Sequence, residues 1–257
     1  MTSMIHRPAA GTLKFAVILL LAVMIPAQIV GFFAGTNAAM AVGIAAGFTM
    51  AVTPFATTRQ ALGSAVLAAA LAAAASLADD TPWAVAALML VSAALLGLTN
   101  QHSAGLMTLA PAIVIIFGPS ALDMSAAASF GFVLLGGIIG WIVIRLFKFE
   151  AQANPVPQGV AWRHAIVLGV LSAIAIYWAL ANDVSHGYWV AVTLVVALRP
   201  LPEQRAHVLR DRLLGTLAGA LLALIVIIWA PVWLAAIVAA ICLVLLATYS
   251  MGGSYFM

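Results

Sequence analysis

The sequence predicts an all-α polytopic transmembrane protein: two parallel six-helix repeats, the second cut short, about ten spans in all. Composition gives the first reason. Hydrophobic residues make up 66% of the 257 and charged residues 7%, with a mean hydropathy of +1.20. A soluble domain carries roughly 25% charged residues, so this chain cannot coat itself with a water-facing surface, and its solvent is lipid. The second reason is that the apolar residues fall into runs near the ~20 residues a helix needs to cross the hydrocarbon core. The third is the placement of charge, which separates cleanly by side once the runs are read as spans.

Residues 1–13 read as a cytoplasmic N-terminus. Span one, 14–34, opens at Lys14 and exceeds the roughly 7–15 apolar residues of a signal peptide, so it reads as a retained helix. Spans at 37–55, 61–79, 82–99, 104–119 and 125–147 complete a first repeat, 14–147. The alanine run Ala68–Ala75 suits a helix packed closely on its neighbours. Pro26 and Pro111 are places where helices one and five can break. Residues 148–163, KFEAQANPVPQGVAWR, contain Pro155, Pro157 and Gly159 and form a cytoplasmic linker. The second repeat, 164–257, holds spans at 164–181, 187–199, 212–230 and 232–249 and the start of a fifth.

With ten spans, Arg7, Lys14, Arg59, Arg145, Lys148, Arg163, Arg199, Arg205, Arg210 and Arg212 fall on one side, which is every Lys and Arg in the chain. Asp79, Asp80, Asp123 and Asp183 fall on the other, with no cation. The positive-inside rule makes the basic side cytoplasmic. The net charge of +3 is therefore a topology signal and not a nucleic-acid footprint.

The repeat rests on matched landmarks. Lys14 and Arg163 open corresponding helices, and Gly63-Ser64 corresponds to Gly215-Thr216. Trp83 corresponds to Trp233, Thr99-Asn100 to Tyr249-Ser250, and Pro54 and Pro200 each end a second helix. On this alignment Met257 matches Met107, and the second repeat lacks the equivalent of about 108–147. The expectation is a piece of a twelve-helix protein; the alternative is a ten-helix protein with a short apolar tail.

The segment 186–220, HGYWVAVTLVVALRPLPEQRAHVLRDRLLGTLAGA, resembles the fusaric-acid-resistance and aromatic-acid-exporter family of bacterial inner-membrane proteins. The elements that carry the resemblance are Tyr188-Trp189 opening a helix, Thr193 within it and Pro200 ending it. Arg205 and Arg210 in a basic loop, and Arg212 with Gly215-Thr216 at the next helix, complete them. The resemblance covers about 164–249 and is weak over the first repeat, which has Gly63-Ser64 but no Tyr-Trp pair. It implies export of small organic, often aromatic, acids across the inner membrane. Many members carry a sizeable cytoplasmic domain, for which the 16-residue linker leaves no room.

Arg199 and Arg212 each adjoin the apolar part of a helix, where an arginine must pair, snorkel or face the interior. Together with Thr216, Tyr188 and Trp189 they are the candidate substrate-binding residues, the guanidinium groups by bidentate hydrogen bonds to a carboxylate. The competing readings are lipid-headgroup anchors for the arginines and interfacial anchors for Tyr188 and Trp189. Proton coupling has few candidates, because no span holds a charged residue at its centre. Asp183, His186 and Asp211 are the candidates; Asp211 is also a partner for Arg199 or Arg212. His102, His164 and His207, like Asp183 and His186, lie near membrane edges and are expected to be solvated. Gly215, Gly219, Gly136 and Gly140 are expected at close helix contacts.

The partners expected are a small organic anion and the lipid bilayer, with homo-oligomerisation open and nucleic acid not among them. No cofactor or metal is expected: Cys242 is alone, no Cys/His cluster has ligand spacing, and neither a Walker loop nor a dinucleotide fingerprint occurs. An enzyme is not indicated. The alternatives to an exporter are a passive anion channel and a non-transporting membrane scaffold. A general twelve-helix facilitator is disfavoured because loop 56–60, ATTRQ, lacks the Gly- and Asp-bearing motif usual between spans two and three.

Overall fold

The computed structural model describes residues 10–78, 81–102, 107, 110–118, 122–148, 155–184 and 187–198. The described residues hold eight α-helices and one 3-10 turn, with no strand. The helices are α1 (Ala10–Ala34), α2 (Thr36–Val52), α3 (Thr58–Ala78), α4 (Pro82–Asn100), α5 (Ala110–Phe117), α6 (Ala126–Leu146), α7 (Gln158–Ala181) and α8 (Tyr188–Ala197). Five are long and apolar enough to cross a membrane: α1 over Ala16–Ala34, α3, α4, α6 and α7. The protein is a multi-pass membrane protein. Its chain divides into two compact units, 23–202 and 1–22 with 203–257. Helices α2–α8 and the second half of α1 lie in the 23–202 unit.

Local chemistry sets the helix ends. Gly35 separates α1 from α2 at φ 90 and ψ 169, a conformation open in practice only to glycine. At 17 residues α2 spans about 26 Å, and the 3-10 turn Thr53–Phe55 adds roughly 6 Å. Pro54 sits in that turn, and Thr53 Oγ1 donates to the Thr49 carbonyl at 2.7 Å. A reciprocal capping box opens α3: Thr57 N donates to Gln60 Oε1 at 2.9 Å, and Gln60 N donates to Thr57 Oγ1 at 3.3 Å. Ser125 caps α6 by accepting from Ala128 N. Pro26 does not break α1, which runs through it, and Pro111 lies in the first turn of α5.

Two predicted spans are described in part. Within 104–119 the described helix is the eight residues of α5. Within 187–199 the described helix is the ten residues of α8. The predicted spans 212–230 and 232–249 lie outside the described residues.

Small residues decide which helices meet. Along α6, a Cβ on Gly136 would collide with the Val42 carbonyl oxygen, and one on Gly140 with that of Ala46. One on Gly137 would lie 2.6 Å from Ala65 Cβ on α3. Helix α6 therefore lies in direct backbone contact with α2, parallel to it, and antiparallel to α3, to which Ser129 is tied by the Ser76 hydroxyl at 2.8 Å. Helix α4 pairs antiparallel with α7 in the same way: a Cβ on Gly97 would lie 2.9 Å from that of Ala165, and one on Gly169 2.8 Å from that of Ala93. Helix α8 packs on α7, and buried α5 contacts α3, α4 and α8. Of the alanine run, Ala68, Ala69, Ala72 and Ala75 are buried. Large apolar side chains face outward, Ile25, Ile29, Phe32 and Phe33 on α1 and Ile166, Val170, Ile174 and Trp178 on α7. They suit a lipid solvent.

Candidate functional site

Helix directions give the 23–202 unit two unlike ends. At one end α2, α4, α6 and α8 finish and α3 and α7 begin. Three contacts knit it together: Arg145 donates from its guanidinium to the Ala56 carbonyl at 3.1 Å, Val156 N donates to the Asn100 carbonyl at 3.0 Å, and His164 Nε2 lies 3.1 Å from the Leu198 carbonyl. A carbonyl oxygen only accepts, so Nε2 is the protonated nitrogen of His164. This end gathers Arg59, Arg145, Lys148 and Arg163; Arg59, Lys148 and Arg163 are exposed and Arg145 is half-buried. The described cations with described side chains in this unit are all here. The opposite end carries Asp123 and Asp183, both exposed.

The basic end is the candidate site, because α8 delivers the chain to it at Leu198, one residue before Arg199. His164 bridges the first turns of α7 to that exit. It is 7% exposed, which corrects the expectation of a solvated edge histidine. The physical reason lies in the stripe Ala161, His164, Ala165, Leu168, Gly169, Ser172, which faces inward at helical spacing. His102 is exposed as expected, with Nδ1 3.3 Å from the Leu98 carbonyl. Sequence reading also passed over three buried polar atoms, Thr49 Oγ1, Asn100 Oδ1 and Ser172 Oγ, which have no hydrogen-bond partner among the described residues. Each sits on a small-residue stripe, and that was the available signal.

At the acidic end, Tyr188 and Trp189 open α8 with their rings stacked, centroids 5.8 Å apart and planes 29° from parallel. Tyr188 packs partly against the core, while Trp189 is 57% exposed. Thr193 turns its hydroxyl onto the Trp189 carbonyl at 2.8 Å, so it serves its own helix. Asp183 adopts φ 49 as the left-handed residue that closes α7. Val184 N donates to the Ala179 carbonyl at 2.9 Å and Asp183 N to that of Leu180 at 3.3 Å, completing a Schellman cap. A shallow hollow of about 450 Å³ lies at the start of α2 and α6, where Asn37 Nδ2 donates to the Asp123 carbonyl at 3.5 Å. Gly136 and Gly140 lie at the α2–α6 contact already described. His186, Arg199, Arg205, Arg210, Asp211, Arg212, Gly215, Thr216 and Gly219 lie outside the described residues.

Residues 157–257 match the family described as fusaric acid resistance protein-like. The matched stretch runs from the turn before α7 through the basic segment 199–212, so the resemblance read from 186–220 is borne out there. No curated protein and no solved structure matches the chain.

Proposed function

We propose, from the match of residues 157–257 to fusaric acid resistance protein-like sequences, that the protein exports small organic anions, aromatic carboxylic acids foremost, across the bacterial inner membrane. That match carries the reading, because it takes in both the Tyr188-Trp189 opening of α8 and the arginine-rich segment beyond it. The grouping of Arg59, Arg145, Lys148 and Arg163 at one end supports it. Under the positive-inside rule that end is cytoplasmic, as is the N-terminus. A basic mouth raises the local concentration of anions before they enter. Arg199 and Arg212 then take the carboxylate by paired guanidinium hydrogen bonds, and Thr216 adds a hydroxyl donor. Tyr188 and Trp189, at the opposite end, offer a stacking surface to an aromatic ring as it leaves. Asp183, His186 and Asp211 are the groups proposed to exchange protons with the two sides.

Deletion and complementation test this reading. Cells lacking the gene should accumulate more fusaric acid in the cytoplasm than complemented cells, and equal accumulation removes the export claim. A passive channel is the second reading, favoured because no helix centre holds a charged residue. In reconstituted liposomes a channel carries current down the anion gradient without proton movement, whereas an antiporter moves protons in step.

A further inference from the structure

We infer that the outward face of α1 around Gln28 binds a second copy of this chain, setting two α1 helices parallel with their Gln28 amides hydrogen-bonded to each other inside the membrane. The inference takes nothing from the export reading.

Gln28 stands on a face otherwise made for lipid. Its outward neighbours Met24, Ile25, Ile29, Phe32 and Phe33 are all apolar, and Gln28 is exposed among them. It lies about 9 Å inside the end of α1 at Ala34. Among the described residues no hydrogen bond reaches its amide. Lipid tails neither donate nor accept, so an amide at that depth is costly without a partner. Glutamine side chains in membranes find that partner on another helix. The outward face of α7, with Ile166, Val170 and Ile174, makes no such demand and suits lipid as it is.

The shape around Gln28 is also that of a helix contact. A hollow of about 370 Å³ is lined by Met24, Ile25, Gln28, Ile29 and Phe32. Ile25, Gln28, Ile29 and Phe32 stand at i, i+3, i+4 and i+7, the four-residue hole that receives a side-chain knob from a facing helix. The other side of α1 is already taken: Val23 and Ala27 are buried, and a Cβ on Gly31 would lie 2.9 Å from that of Ala39 on α2. The hole therefore faces away from α2.

The occupant must bring to this depth both an apolar knob and a hydrogen-bonding side chain. A second copy supplies both. Copies of one chain insert with the same orientation, so a two-fold axis along the membrane normal places α1 parallel to α1 with like residues at equal depth. An amide carries donor and acceptor together, so Gln28 Nε2 of one copy donates to Gln28 Oε1 of the other. One polar residue on an apolar seam also fixes its register. The predicted spans 212–230 and 232–249 do not meet the requirement: at the matching depth, 222–227 and 235–241 hold apolar side chains alone.

Disulfide cross-linking of the whole chain in inner-membrane vesicles tests the surface, with Cys242→Ser as background. Ile25→Cys and Phe32→Cys should each give a band at twice the monomer mass, and Ile174→Cys, equally exposed on α7, should not. Fluorescence energy transfer between labelled copies in liposomes, across a series of protein-to-lipid ratios, tests the amide. Gln28→Leu keeps the bulk of the side chain and removes the hydrogen bond, so association should weaken roughly 3- to 30-fold. The exposed position of Gln28 leaves the fold of the variant intact. A protein that stays monomeric at every ratio overturns the inference and leaves the hole to another segment or partner. Cross-linking at Ile174→Cys as strong as at Ile25→Cys, or unchanged association of Gln28→Leu, overturns it too.

Discussion

Replacing Gly140 by alanine puts a methyl group where α6 touches the backbone of α2. The new carbon would lie 3.0 Å from Ala46 Cα and 3.1 Å from its carbonyl carbon, with the carbonyl oxygen closer still. Carbon atoms settle at about 3.5–4.0 Å, and helix backbone has no rotamer with which to step aside. The two helices must therefore part by roughly 0.5–1 Å, a gap that forfeits about a quarter to a half of each contact's dispersion well. Overpacking of this kind costs about 1–3 kcal/mol. Against it stands a gain of up to ~1 kcal/mol from replacing glycine in a helix. Gly131 supplies the control: it lies on the same helix, nothing approaches its Cβ position within 4 Å, and Gly131→Ala keeps the gain without the clash. Thermal unfolding of detergent-solubilised protein, followed by tryptophan fluorescence, should show Gly140→Ala lowered and Gly131→Ala unchanged or raised. Shifts of the same sign in both would refute the close α2–α6 contact.

Other substitutions probe separate links. Gly35→Ala forces a side chain into a glycine-only conformation and should destabilise by about 1–3 kcal/mol, read by the same melt. Ser129→Ala removes the α3–α6 hydrogen bond and should cost only about 0.6 kcal/mol, because Ser76 keeps the Ala72 carbonyl as acceptor. His164→Ala leaves the Leu198 carbonyl without its ring donor at the α8 exit. About 1–3 kcal/mol should be lost, and proteolysis between 199 and 212 should become faster; an unchanged cleavage rate would remove His164 as the anchor of that exit.

How far the sequence reaches can be judged residue by residue. Span positions were legible because helix length is set by bilayer thickness: 61–79, 82–99 and 125–147 fall within a few residues of α3, α4 and α6. The end of α2 near Pro54 was legible from the proline, and the close packing of the alanine run from its small side chains. The burial of α5 was not, because hydropathy does not distinguish burial in protein from contact with lipid. The Thr57–Gln60 capping box, by contrast, was readable as a Thr-x-x-Gln pattern. His164 was misjudged because position along a helix, near Arg163, was weighed and position around it was not. The α4–α7 pairing could not have been found from hydropathy, since Gly97 and Gly169 look like any other glycine until their partners Ala165 and Ala93 are placed.

The proposed activity is the movement of small aromatic carboxylates across a membrane. Loss of entrapped fusaric acid from liposomes holding the purified chain measures it directly. Efflux should be faster than from protein-free liposomes and should slow when a second aromatic carboxylate competes. Equal rates with and without the protein would contradict it.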